Sequence, residues 1–174
     1  MLALWVQAML LRAAAFCLLL VAVPASAADR GPSTPAEREQ ALKYIRHFQA
    51  DPLNPDLKAE IQWVVKWTME VPDIRLELCT SFYKFPKAES KDRELLFNAM
   101  VFSQTQYVLE NLTRQDDGRA QVEAGVEGVL RVYELSLKAN PRDREPYLDK
   151  LIKRRDDGTL AHFVEQHASS SCMN

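Results

Sequence analysis

An all-α protein, folded as a single compact bundle of about five to seven helices, is what this sequence predicts. Three observations predict it. Apolar residues recur at the three-to-four spacing of one helix face through most of the chain. Thr34-Pro35, Asn54-Pro55, Asp117-Gly118, Asn140-Pro141, Pro146 and Asp157-Gly158 punctuate those runs as helix starts and stops. Only Ile74-Arg75-Leu76-Glu77-Leu78 alternates with period two, and it has no evident partner strand elsewhere.

The N-terminus sets the length that folds. Arg12 precedes an apolar run, Ala13 to Val23, and small residues stand at Ala25 and Ala27. That layout predicts a secretory signal peptide over residues 1–27, cleaved after Ala27. Arg12 splits the apolar stretch and Pro24 ends it, so too few unbroken apolar residues remain for a comfortable span. Phe16, in place of a small residue before Cys17, argues against a lipidated cysteine. The expectation is an exported chain, periplasmic or secreted, with no stable membrane anchor after cleavage. Residues 28–33 read as a disordered lead and 34–174 as one helical domain.

The 147 residues that follow the leader suffice for one real core. Arg12 departs with the leader, which leaves 21 basic against 24 acidic side chains, a formal charge of −3. Such a mixed, near-neutral surface lacks the clustered cations of a nucleic-acid footprint. Lys150-Leu151-Ile152-Lys153-Arg154-Arg155 is the longest basic cluster and reads as the cationic last turn of a helix. With Cys17 gone, Cys79 and Cys172 are the two remaining cysteines, and an even number in an oxidising compartment predicts a disulfide between them. Closing that long loop stabilises by about 4–5 kcal/mol on the chain-entropy model.

The elements follow in order. Thr34-Pro35-Ala36-Glu37 is a capping box with proline at the first helical position, and Ala41, Leu42, Ile45 and Phe48 continue the helix to Asp51-Pro52. Asn54 caps a second helix from Pro55, with Leu57, Ile61, Val64, Val65 and Thr68 on one face. Trp63 and Trp67 sit about 120–160° from Ile61, so this helix either packs on two sides or offers its tryptophans to a partner. Residues 74–78 read equally as a short extended segment or as part of a helix from Asp73. Phe85-Pro86-Lys87 is a loop. Residues 92–113 form a helix apolar nearly all round, the mark of a central element. Another helix runs from Arg119 to Ala139, a shorter one opens at Pro146, and Thr159 caps a last one.

Chemistry-bearing motifs are sparse. His162 and His167 are five apart, on different helix faces, and no metal-ligand spacing is present. Glu123, Glu127 and Glu134 each have a basic residue four away, which reads as a solvated, ion-paired face. Neither a nucleophile elbow nor a glycine-rich phosphate loop occurs. No cofactor is implied. Two features stand out as a candidate ligand or partner surface. One is the pair Trp63 and Trp67. The other is Gly125 and Gly128 inside a helix, where each glycine costs about 1 kcal/mol relative to alanine and close approach of another helix is the expected reason.

The function expected from all this is a non-enzymatic exported binding or interaction protein, whose partner is an unknown protein or small ligand of the cell envelope. The alternatives are an immunity or inhibitor protein against an exported toxin, and a small carboxylate-dependent hydrolase.

Overall fold

A computed structural model describes residues 30–79 and 91–168. The leader, the expected loop at Phe85–Lys87 and the tail bearing Cys172 lie outside these residues. The described chain is all-helical: α1 (Pro35–Ala50), α2 (Lys58–Glu70), α3 (Lys91–Glu110), α4 (Gly118–Ala139), α5 (Pro146–Asp156) and α6 (Leu160–Ala168). Short 3-10 turns at Pro55–Leu57 and Leu112–Arg114 lead into α2 and follow α3. Among the described residues no helix is long and apolar enough to cross a membrane.

Local chemistry sets the helix ends. Thr34 Oγ accepts from the Glu37 N–H at 3.2 Å, and Glu37 accepts from the Thr34 N–H at 2.8 Å, the reciprocal box that the sequence predicts. Asp117 caps α4 by accepting from the Ala120 N–H at 3.1 Å, which holds its carboxyl below the usual carboxylate range. Gly158 turns the chain between α5 and α6 with φ +70°, a left-handed conformation that a side chain would strain. Thr159 does not act as the expected cap in the usual way. Its hydroxyl donates back to the Arg154 carbonyl at 3.3 Å and closes the end of α5 instead.

At the centre lie α3 and α4, packed along their lengths; α1 and α2 cover α3 on one flank, while α5 and α6 cover α4 on the other. From Asn98 to Thr105 every residue of α3 is buried, more than two turns without a break. Around it gather Ile45 and Phe48 from α1, Val64 from α2, and Val122, Val126, Val129 and Leu130 from α4. Phe48 meets Phe102 edge-on with ring centroids 5.0 Å apart.

Gly128 explains how closely α3 and α4 approach. A Cβ built on it falls 1.9 Å from Ser103 Oγ and 2.8 Å from the Ala99 carbonyl oxygen. The hydroxyl can rotate away, but the carbonyl is helix backbone and cannot. Gly125, one turn earlier, is buried in the same helix.

Residues 74–79 resolve the choice left open by their period-two pattern. The segment is neither helix nor strand, with no ladder to another strand among the described residues. Two buried glutamines replace the ladder. Gln121 of α4 accepts from the Glu77 N–H at 2.8 Å and donates to the Arg75 carbonyl at 3.1 Å, while Gln104 of α3 donates to the Glu77 carbonyl at 2.9 Å. Buried backbone needs such partners, and side-chain amides carry both a donor and an acceptor. Ile74 and Cys79 turn inward at either end of this strap.

The lead segment is fastened rather than loose where it is described. Ser33 donates to Asp73 through its N–H and its hydroxyl, both at 2.7 Å, and Arg38 joins the same carboxylate at 2.9 Å. Desolvation pushes the Asp73 carboxyl up, but these bonds outweigh it and hold the group below its ordinary value. Arg30 pairs with Glu37 and Glu70, tying the chain to α1 and α2.

Two outcomes test this packing. Gly128→Ala is expected to destabilise by about 1–3 kcal/mol in chemical denaturation, because overpacking against the Ala99 carbonyl outweighs the gain of up to about 1 kcal/mol in helix propensity. Gln121→Leu strips the strap of two bonds and is expected to cost about 2–3 kcal/mol. Amide exchange at Glu77 should speed up in that variant while the central turns of α3 stay protected.

Candidate binding clefts

Three hollows on the bundle collect the residues of interest. The first holds the tryptophans. Trp63 and Trp67 stack with centroids 5.7 Å apart and planes 10° from parallel, and Tyr44 of α1 closes on Trp63 edge-on at 5.5 Å. Trp67 is core, 2 % exposed, whereas Trp63 is half-buried. Their hollow, about 280 Å³, is rimmed by Arg30, Glu37, Lys66 and Glu70. Those four charges neutralise one another: Arg30 bridges the two glutamates, and Lys66 lies 3.8 Å from Glu70. The arrangement ties Arg30 to the rim beside the indoles and leaves Trp63 as the indole that is not fully buried.

A second, smaller cleft of about 190 Å³ opens over Gly128, between the end of α1, α3 and α4. The structure therefore does not bring the tryptophans and the glycines into one site. Glu127 and Glu110 both line this cleft. Burial pushes the Glu127 carboxyl up, with Arg155 and Arg131 opposing the rise. Glu110 is already engaged by Gln106 at 3.0 Å and Arg46 at 3.4 Å.

The ion pairing of α4 differs from the expected i,i+4 pattern. Glu134 is gripped by both Nη atoms of Arg155 from α5, each at 2.8 Å, and Arg119 lies 3.5 Å from Glu165 of α6. Glu134 faces a neighbouring helix, so its cross-helix partner wins over the one a turn along. A forked guanidinium–carboxylate pair is also stronger than a lysine contact on a solvated face. Tyr133 adds a further link from α4, donating to Asp149 at 3.0 Å and accepting from the Glu145 N–H at 2.6 Å.

The third hollow, at about 510 Å³ the largest of the three, lies between α5 and α6 and was not legible as a cleft in the sequence. Leu151 forms its floor, and Lys150, Lys153, Arg154, Tyr147 and Phe163 stand around it. The basic cluster that reads as one helix end is split here into two jobs. Lys153 bonds Asp157 at 2.6 Å, and Arg155 turns away to Glu134 and Asp156. Lys150 and Arg154 have no ion-pair partner among the described residues. Arg154 instead lies over the Phe163 ring, 4.2 Å from its centroid. The available signal was the four-residue spacing of Lys150 and Arg154 followed by an aromatic beyond the Gly158 turn.

His162 and His167 are exposed; Gln166 bonds the first at 2.9 Å, and the second bonds the Phe163 carbonyl at 2.9 Å. Among the described residues no group of three or more His, Cys, Asp or Glu is placed to hold a metal ion. Cys79 is 3 % exposed within the main core, and its expected partner Cys172 lies outside the described residues. Comparison with protein-family models, curated proteins and solved structures returns no match.

The stacked tryptophans give a direct check. Trp67→Ala is expected to cost about 3–5 kcal/mol in denaturation, as for a buried aromatic. Trp63→Ala should cost clearly less, and it should leave a blue-shifted, poorly quenched signal from Trp67. Equal losses from the two variants would contradict the division into core and rim.

Proposed function

We propose that this is an exported, non-enzymatic binding protein of the cell envelope, whose binding region is the α5–α6 cleft. One observation carries the reading: Lys150 and Arg154 point their charge at an open hollow instead of at a carboxylate of the fold. Elsewhere on the bundle Arg38, Arg119 and Arg155 pair with carboxylates on other parts of the fold. Cationic and aromatic side chains converging on a partly apolar cleft are the usual make-up of a binding site. The partner is an envelope protein or a small ligand; an exported toxin, countered as by an immunity protein, is one such protein partner.

A Cys79–Cys172 bridge belongs to the same proposal. Ala168, four residues before Cys172, is buried in the same core cluster as Cys79. The Arg119–Glu165 pair brings α6 to the start of α4, where Gln121 holds Glu77. A four-residue tail reaches about 13–14 Å.

The second reading, a small hydrolase, draws on the raised carboxyl of Glu127 beside Glu110. A raised carboxyl is what a general acid needs. Glu110, however, already accepts from Gln106 and Arg46, which argues against its serving as the second carboxylate of a pair.

Three measurements test the main reading. N-terminal sequencing of the protein recovered from its host should begin at Ala28. Mass spectrometry without reductant should find no alkylatable thiol in the mature chain. A photo-crosslinking residue at position 150 should capture a defined adduct in cells that the same residue at position 43, on α1, does not. A full-length membrane-bound form, two free thiols, or equal labelling from both positions would each overturn the corresponding part.

A further inference from the structure

We infer that the α5–α6 cleft is an anion site that takes a phosphate group, presented by a soluble phosphate ester or by a lipid headgroup. The inference rests on reading this cleft as the binding region, and charge arithmetic carries it further. The whole chain is acidic, with formal charge −2. Yet the cleft is lined by three cations, Lys150, Lys153 and Arg154, against one carboxylate, Asp157. Lys153 and Asp157 satisfy each other at 2.6 Å. The surplus of two positive charges therefore sits on Lys150 and Arg154.

Two adjacent cations suit a dianion. A phosphate monoester carries about −1.5 to −2 at neutral pH and offers three acceptor oxygens, whereas a carboxylate carries one charge. Residues four apart on a helix place their side chains side by side, about 5–6 Å between Cβ atoms, so both can reach one phosphate. The Phe163 ring holds the Arg154 guanidinium in place before any ligand arrives, which lowers the ordering cost of binding. A guanidinium also presents parallel N–H donors that match phosphate oxygens. The cleft, at about 510 Å³, exceeds what a phosphate group fills. Its Leu151 floor and Tyr147 wall are suited to the organic part of the ligand.

A purely structural role for the cations is the competing explanation. Basic residues in a last helical turn complement the carbonyl end of the dipole. Lys153 and Arg155 fill that role at the end of α5, each bonded to a carboxylate of the fold. Lys150 lies before the last turn, and Arg154 spends its position on an aromatic face.

The test uses the purified mature protein. Inorganic phosphate and glycerol 3-phosphate are titrated by calorimetry. Flotation is run with phosphatidylcholine vesicles, with and without phosphatidic acid. The double variant Lys150→Gln/Arg154→Gln should weaken binding by roughly tenfold or more, with unchanged helix content, since both side chains are exposed. Lys43→Gln, which removes a charge from the exposed side of α1, should leave binding unchanged. Binding of the soluble ester supports a free phosphate compound as the ligand. Binding confined to vesicles containing phosphatidic acid supports the lipid headgroup. Binding of neither, or a loss no larger in the double variant than in Lys43→Gln, would overturn the inference while leaving the export, thiol and cross-linking outcomes to stand on their own.

Discussion

The approach of α3 and α4 at Gly128 is the contact on which the rest of this bundle depends. A helix buried all round, as α3 is from Asn98 to Thr105, has no face to give to water. Its neighbours must come close enough to cover it without voids, since interiors pack at crystal-like density. Ala99 and Ser103, one turn apart on α3, meet a glycine on α4, and the two backbones close to a separation no side chain permits. With that spacing fixed, Met100 and Phe102 reach their partners on either flank, and α1 and α2 can sit against α3 while α5 and α6 sit against α4.

Burying α3 completely also creates a polar problem, and the strap at 74–79 is its counterpart. Gln104 is wholly buried and Gln121 nearly so. An unpaired amide there would be costly. The strap brings a backbone N–H and a C=O to Gln121 and a second C=O to the Gln104 amide nitrogen, while Gln104 Oε1 finds no partner among the described residues. A segment with no sheet partner thus survives in a helical protein because two side chains act as its ladder. The same contacts deliver Cys79 into the core near the start of α4, where α6 ends.

Charges on this molecule divide by what they face. Arg38, Arg119 and Arg155 each join elements distant in sequence, to Asp73, Glu165 and Glu134. Their placement is explained by the fold, and exposed pairs of this kind add little beyond local positioning. Lys150 and Arg154 have no such explanation. A surface charge directed at a hollow, with an aromatic ring holding it, is the feature that separates the α5–α6 cleft from the Trp63 hollow, whose rim is internally neutralised.

What the sequence alone determined is the helical content and its punctuation. Thr34, Asp117, Pro146 and Gly158 act through bonds to neighbours within a few residues, so their effect needs no knowledge of the rest of the chain. The central place of α3 was legible for a similar reason, because a helix apolar on every side has to be surrounded. Gly128 was legible as a close-approach residue, though not the atoms it approaches. The tertiary structure alone decided the remainder. Whether 74–78 becomes helix, strand or strap depends on Gln104 and Gln121, tens of residues away, and nothing in the segment itself names them. The partners of Glu134 and Arg119 were misread because spacing within one helix reports only that helix. The α5–α6 cleft stayed invisible because it is made by the turn at Gly158 folding Phe163 back beneath Arg154, and a sequence records neighbours along the chain, not across a gap.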